Sequence, residues 1–255
     1  MKQFPHERTA IVTGAGSPRG IGKAVAKRLG ASGWCVAVLD IDEVGANLVA
    51  DEIMASVGAK ALAVGVDITD PGAVDRAFQQ VESSLPPVIG LANVAGVSSP
   101  VPFLDVTLEE WDRVMNVNVR GTFMVTQRAL PGMLAQGIGR IVSVSSVSAQ
   151  RGGGTFSKVP YSAAKAGILG MTRALAREIG KEGVTVNAVS PGPIDTDIMG
   201  GALSETRKAE LVAELVVDRV GTVEDVAAVI DFLMGPDAGY VTGSTYNVNG
   251  GLIID

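Results

Sequence analysis

Seven short apolar runs alternate with stretches of helical periodicity along this chain, and no other feature constrains its fold as much. The runs are Thr9–Thr13, Cys35–Asp40, Ala61–Asp67, Val88–Asn93, Arg140–Ser145, Val184–Ser190 and Thr245–Val248. Several of them, such as CVAVL, VIGLAN and RIVSV, are almost unbroken apolar segments, as strands covered on both faces are. Helical periodicity fills 21–32, 43–57, 71–84, 107–136, 161–182, 204–216 and 222–234. Asp70 followed by Pro71 reads as an N-cap with proline at the first helical position, and Thr222 with Asp225 as a capping box. Strict alternation of this kind predicts an α/β fold: a doubly wound parallel sheet of seven strands, right-handed crossovers and helices on both faces. No Pro/Ser-rich linker, repeat or low-complexity tract interrupts it, so residues 1–255 read as one domain.

Composition narrows the chemistry. With 47% hydrophobic and 19% charged residues there is enough apolar material for a large core, which excludes a disordered chain. The net charge is −6 and no Lys/Arg block occurs, which argues against a nucleic-acid or anionic-membrane surface. The single histidine, His6, lies in the N-terminal tail. Ser-His-Asp and Cys-His catalysis and His-rich metal sites are thereby excluded, and no metal is expected. An acid or base must come from Tyr, Lys, Asp, Glu or Cys. One cysteine, Cys35, forbids an internal disulfide. With no apolar leader and no run of membrane-spanning length, it predicts a cytoplasmic, soluble protein.

The first apolar run leads into TGAGSPRGIG, with Gly14, Gly20 and Gly22, and then into a helical stretch. Glycines at a strand-to-helix turn let the backbone approach a pyrophosphate, and the helix N-terminus offers free N–H groups and a favourable dipole. The second run ends at Asp40, an acid placed to accept hydrogen bonds from both hydroxyls of an adenosine ribose. A glycine loop alone is also compatible with a plain turn, and a methyltransferase with another adenosine cofactor uses similar parts.

Tyr161 and Lys165 stand at i and i+4 where a long helix opens, so they share a face. A phenol is a weak base near neutral pH. An ammonium one turn away, together with a cationic nicotinamide, would favour the phenolate. Tyr161 could then exchange a proton with an alcohol or ketone as hydride moves at carbon. Ser146, at the end of RIVSVSS, is placed to bond the same substrate oxygen. An isolated Tyr–Lys pair is more often a surface contact. Here the upstream glycine loop, the serine at a strand end and the lack of a competing histidine favour the chemical reading.

Over essentially its whole length the chain resembles the short-chain dehydrogenase/reductase family. The resemblance is carried by TGAGSPRGIG, LDID, VDITD, LANVAG, VMNVNVRGTF, GRIVSVSS, YSAAKAG, NAVSPGPIDTDI and GSTYNVNGG. It implies a Rossmann-type fold and a catalytic set. Tyr161 is the acid/base, Lys165 binds the nicotinamide ribose and lowers the Tyr161 pKa, Ser146 positions the substrate oxygen, and Asn118 holds a relay water behind Lys165. It also implies a cofactor site. Gly14, Ser17, Arg19, Gly20, Ile21 and Gly22 surround the phosphates, Asp40 and Ile41 the adenosine ribose, and Asp67 and Ile68 the adenine. Asn93, Ala95 and Gly96 run beneath the ribose, while Pro191, Gly192, Ile194 and Thr196 orient the carboxamide. The two long helices, carrying Gly121, Met124, Ala166, Gly167, Gly170 and Met171, are expected to pack into a homotetramer.

Two features depart from the family pattern. Five residues separate Gly14 from Gly20 where T-G-x-x-x-G-x-G is usual, so Pro18 and Arg19 should bulge the loop. The stretch between Ser146 and Tyr161, with Gly152, Gly153 and Gly154, is also longer than usual. These residues predict an oxidoreductase moving hydride between NAD and a secondary alcohol or ketone. NADP is the less favoured cofactor because Asp40 would repel a 2′-phosphate, although Arg19 could offset part of that or pair with Asp40. Ser148 and Gln150, two and four residues beyond Ser146, would face the same pocket if the chain stays extended. That favours a small polar substrate such as a polyol, sugar or hydroxy-carbonyl compound. Val97, Ser98, Arg151, Phe156, Pro193 and a lid over 197–220 complete the expected pocket. The alternatives are a 3-oxoacyl thioester reductase and a dinucleotide-binding sensor without turnover.

Overall fold

Each of the seven apolar runs forms a strand. The computed structural model describes residues 3–154, 156–199 and 201–254. The strands are β1 (Thr9–Thr13), β2 (Cys35–Asp40), β3 (Ala61–Gly65), β4 (Val88–Asn93), β5 (Gly139–Val144), β6 (Val184–Pro191) and β7 (Thr245–Val248). They make one sheet in the order β3-β2-β1-β4-β5-β6-β7, with every pairing parallel. The order reverses between β1 and β4, which opens a crevice at the carboxyl ends of the strands.

Strand alternation sorts the core onto two faces. Ala10, Val12, Val36 and Val38 join one cluster, and Ile11, Ala37 and Leu39 the other. The first is covered by α1 (Ile21–Ala31), α2 (Glu43–Val57) and α9 (Val223–Met234), through side chains such as Leu29, Ile53 and Ile230. The second is covered by α3 (Pro71–Ser84), α5 (Thr122–Gln136) and α7 (Val159–Ile179), through Phe78, Met133 and Ile179. Each large side chain buried this way contributes ~1.5–3 kcal/mol.

Several element bounds shift by a residue or a few, and three departures from the sequence reading bear on the site. β3 ends at Gly65, two residues before Asp67, where the chain turns toward α3. The stretch 107–136 is not one regular helix. α4 (Leu108–Met115) passes through a π-helical segment, Asn116–Gly121, before α5 begins. Asn118 explains the extra turn, because its amide Nδ2 donates to the carbonyls of Val114 and Val97 at 2.9 Å each. Beyond β5, residues Ser148–Arg151 form a helical turn, α6, instead of continuing extended. Between residues 197 and 220 lie a 3₁₀ turn, Asp197–Met199, and a short helix, α8 (Glu205–Val212), capped by Ser204.

Candidate active site

A cavity of about 760 Å³ opens at the carboxyl ends of the strands, over the crevice between β1 and β4. Its floor at one end is the glycine loop. Gly14 has φ +66°, and a Cβ on Gly22 would lie 2.2 Å from the Gly14 carbonyl oxygen, so only bare Cα atoms allow α1 to start so close to β1. Gly20 caps α1 without any side-chain hydrogen bond, and no acid lies in the first turn. By contrast α2, α3, α4, α8 and α9 are capped by Asp42, Asp70, Thr107, Ser204 and Thr222. An open helix N-terminus beneath a glycine cradle fits a pyrophosphate. Asp40 closes the loop from β2, its two carboxylate oxygens accepting from Gly16 N–H at 2.7 Å and Asp42 N–H at 3.0 Å. A carboxylate has further lone pairs, and Asp40 lines the cavity, so it can still accept from ribose hydroxyls.

Gly14, Ser17, Gly20, Ile21, Gly22, Asp40 and Ile41 all border this cavity, as do Asp67, Ile68, Ala95, Gly96, Pro191, Gly192, Ile194 and Thr196. Two expected cofactor contacts do not. Asn93 is buried in the core, where its Nδ2 donates to Thr126 Oγ1 and Ser143 Oγ and ties β4 to α5 and β5. Arg19 pairs with the segment after β6 and not with Asp40. Its Nη2 lies 2.6 Å from Asp195 Oδ1 and its Nη1 3.2 Å from Asp197 Oδ1. Ser17 Oγ also donates to Asp197, at 3.3 Å. Arg19 and Ser17 therefore tie the glycine loop to the segment after β6. Asp195 also accepts from Leu203 N–H and lies 3.5 Å from Lys208 Nζ; those bonds and Arg19 hold its carboxyl below the usual range.

The other end brings Ser146, Tyr161 and Lys165 together. Ser146 follows β5, while Tyr161 and Lys165 stand one turn apart in α7. Burial pushes the Tyr161 phenol up to about 12, and a hydrogen bond from Ser146 pulls the other way. Burial pushes the Lys165 amine down to about 8. Lys165 Nζ lies 5.7 Å from the Tyr161 ring centroid and donates to the Val144 carbonyl at 2.8 Å. In the protein alone burial dominates at both groups, disfavouring the phenolate of Tyr161 and the ammonium of Lys165 alike. A cation brought by the nicotinamide would be needed to favour the phenolate.

Asn118 lies behind this group rather than on the cavity wall. Its Oδ1 is buried with no partner among the described residues. A Cβ on Gly96 would sit 2.6 Å from that oxygen and 3.2 Å from Lys165 Nζ, so both polar groups border the space that the glycine leaves open. An orphaned acceptor beside an amine suits a bridging water.

The substrate end departs from expectation. The α6 turn keeps Ser148 on the cavity, bonded to Ser157 Oγ at 3.0 Å, but rotates Gln150 away. Gln150 instead accepts from Ser190 Oγ at 2.7 Å and donates to Asn247 Oδ1 at 3.0 Å, a tie between α6 and the ends of β6 and β7. Val97, Ser98, Arg151, Phe156 and Pro193 do line the cavity. So do Arg207, Leu211 and Glu214 from the lid region, and Leu252 near the C-terminus. Residues 197–220 were legible only as a segment that borders the pocket. Leu252 had no sequence signal, because the chain after β7 returns to the cavity only through tertiary packing.

An uncapped helix for phosphate, an acid for ribose and a buried phenol beside an amine suit hydride transfer better than hydrolysis or methyl transfer. They put the chain among the dinucleotide-dependent oxidoreductases built on parallel α/β sheets. Residues 14–253 match the family described as enoyl-(acyl carrier protein) reductase. The chain is 40% identical to a short-chain type dehydrogenase/reductase, y4mP, of Sinorhizobium fredii, over 97% of this chain and 98% of that one. It is 38% identical to the 3-oxoacyl-[acyl-carrier-protein] reductase FabG of Aquifex aeolicus, over 96% and 97%. Among solved structures, a blue fluorescent protein from a metagenomic library, in complex with NADPH, superposes with a TM-score of 0.88 at 40% identity, covering 97% and 98% of the two chains. The chain belongs to the short-chain dehydrogenase/reductase family.

Proposed function

We propose that this protein interconverts a secondary alcohol and a ketone with NAD(H). The observation that carries the reading is the convergence of Ser146, Tyr161 and Lys165 on a cavity that also holds the uncapped N-terminus of α1. A bound nicotinamide dinucleotide supplies or accepts the hydride. Ser146 hydrogen-bonds the substrate oxygen and Tyr161 delivers or removes its proton. Lys165 holds the nicotinamide ribose, and Asn118, beside the gap at Gly96, keeps a relay water in contact with Lys165.

The preference for NAD rests on Asp40. Two like charges ~4 Å apart at an effective dielectric near ~20 repel by about 4 kcal/mol, which disfavours a 2′-phosphate beside this carboxylate. Arg19, engaged with Asp195 and Asp197, is poorly placed to offset that. The NADPH complex of the structural relative argues for the other cofactor, and kcat/KM with each decides. A value higher with NADP than with NAD overturns the preference.

The 3-oxoacyl-[acyl-carrier-protein] reductases among the relatives favour a second reading, reduction of a 3-oxoacyl thioester. A polyol or sugar has lost its best support, since Gln150 faces away from the cavity. NADH formation or consumption across secondary alcohols, hydroxy acids, polyols and 3-oxoacyl thioesters tests these together. No turnover with any of them would favour the sensor reading.

The same reading includes a homotetramer in the cytoplasm. Ala166, Gly167 and Gly170 make an exposed small-residue face on α7, and Phe123 is half-exposed on α5. Gly121 does not contribute, because it packs against Ile68 of its own chain. The lone cysteine favours a reducing compartment. A monomer mass by light scattering at micromolar concentration would overturn the assembly, and cell fractionation tests the compartment.

A further inference from the structure

With Gln150 turned away, the long polar side chains left at the substrate end are charged. Arg151 closes the α6 turn, five residues after Ser146, and lines the cavity. Its Nη2 bonds Glu214 Oε2, just beyond α8, at 2.8 Å, and both side chains are about half-exposed. The other guanidinium N–H groups of Arg151 have no protein partner among the described residues. Arg207, in the first turn of α8, also lines the cavity, and its paired acid Glu210 does not. Asp197, at the base of the lid, is held by Arg19. Around the substrate end Arg151 is thus paired with Glu214, Arg207 with Glu210 and Asp197 with Arg19, and Arg151 keeps guanidinium N–H groups to spare.

An exposed ion pair adds little net stability, so Arg151 can exchange Glu214 for another anion at small cost. A guanidinium presents a planar fork that matches a carboxylate or phosphate in two hydrogen bonds. The cavity that Arg151 and Tyr161 share is also lined by the apolar side chains of Val97, Phe156 and Leu211.

We infer that the substrate is a ketone or alcohol carrying an anionic group, and that Arg151 binds that group at the cavity mouth by exchanging it for Glu214, with Arg207 beside it. This rests on the alcohol–ketone reading above. The anion can be a carboxylate of the substrate itself or a phosphate on a carrier arm in thioester linkage. Glu214 then acts as an internal stand-in that disfavours neutral occupants only weakly and is displaced by charged ones.

The test compares matched pairs, because a ratio within a pair cancels defects in folding or in the chemical step. The first pair is a methyl ketone with a carboxylate roughly two to six carbons from the carbonyl, against its methyl ester. The second is the 3-oxobutyryl thioester of coenzyme A against that of N-acetylcysteamine, which lacks phosphate. Arg151→Gln should lower the charged-over-neutral ratio of kcat/KM by about tenfold in at least one pair. Arg151→Lys should restore part of it, and Glu214→Gln should raise it. A shift confined to the first pair assigns the anion to the substrate's own acid; a shift confined to the second assigns it to the carrier arm. Changes below about threefold in both pairs, for both Arg151→Gln and Glu214→Gln, overturn the inference. Absence of hydride transfer to all four compounds in the unmodified protein, neutral ones included, would instead refute the alcohol–ketone reading and the inference with it.

Discussion

At the dinucleotide end of the cavity the walls are backbone: the turn at Gly14, the open first turn of α1, and strand ends locked in parallel register. At the substrate end they include side chains on and just beyond the short elements α6 and α8, where Arg151 meets Glu214 in an exposed pair. Backbone walls are specified residue by residue, since a single Cβ at Gly22 has nowhere to go. Side-chain walls joined by exposed ion pairs can be rearranged by whatever enters. A scaffold of this type can keep one cofactor geometry while its substrate wall is rebuilt.

The largest expected effect tests whether the two ends are functionally separable. Tyr161→Phe should lower kcat by ~10²–10⁴ while leaving the NADH dissociation constant within about threefold. Lys165→Ala should damage both turnover and cofactor binding, since it belongs to both ends. Retention of more than a few per cent of the rate by Tyr161→Phe would remove the phenol from the acid/base role.

Proton direction gives the next test. Tyr161 sits up at about 12 in the protein alone, so below that it is mainly the protonated donor. Alcohol oxidation needs the phenolate and ketone reduction needs the phenol. With cofactor bound, kcat/KM for oxidation should therefore rise with pH over the range where that for reduction falls. Profiles with the same sign of slope would exclude one shared group.

Gly22→Ala probes the backbone-built end. The new Cβ would meet the Gly14 carbonyl oxygen, and overpacking of this kind costs ~1–3 kcal/mol. A lower Tm and a weaker NADH affinity are expected together; unchanged values of both would mean that the loop yields easily.

Asp40→Ser should narrow the NAD-over-NADP preference by about tenfold, through loss of the carboxylate that opposes a 2′-phosphate. An unaltered ratio of kcat/KM would move cofactor discrimination to another residue. The smallest effect belongs to Arg19→Ala. An exposed strap contributes ~1 kcal/mol or less, and dissociation constants for NAD and NADP should change by the same small factor. A loss confined to NADP would return Arg19 to the phosphate.

Much of the sheet was legible because buried parallel strands are nearly continuous apolar runs. β1, β2, β4 and β7 begin and end at the expected residues. The residues expected around the cofactor mostly meet on one cavity, because strand-end and helix-start motifs fix direction as well as position. Asn93 and Arg19 lie off that cavity for a different reason. A polar side chain beside a binding loop can turn toward the ligand or away, and Thr126, Ser143, Asp195 and Asp197, which draw these two away, are remote in sequence.

Local pattern alone determined the parallel sheet, the glycine turn, Asp40 at its strand end and the shared face of Tyr161 and Lys165, because each depends on residues within a turn or two of one another. Tertiary packing decided the rest. Asn118 was drawn into a π turn by the carbonyl of Val97, Gln150 was rotated toward Ser190 and Asn247, and Arg151 was brought opposite Glu214. Those pairings join segments far apart in the chain, and a hydrogen bond or ion pair across such a distance has no periodicity or neighbouring residue to announce it.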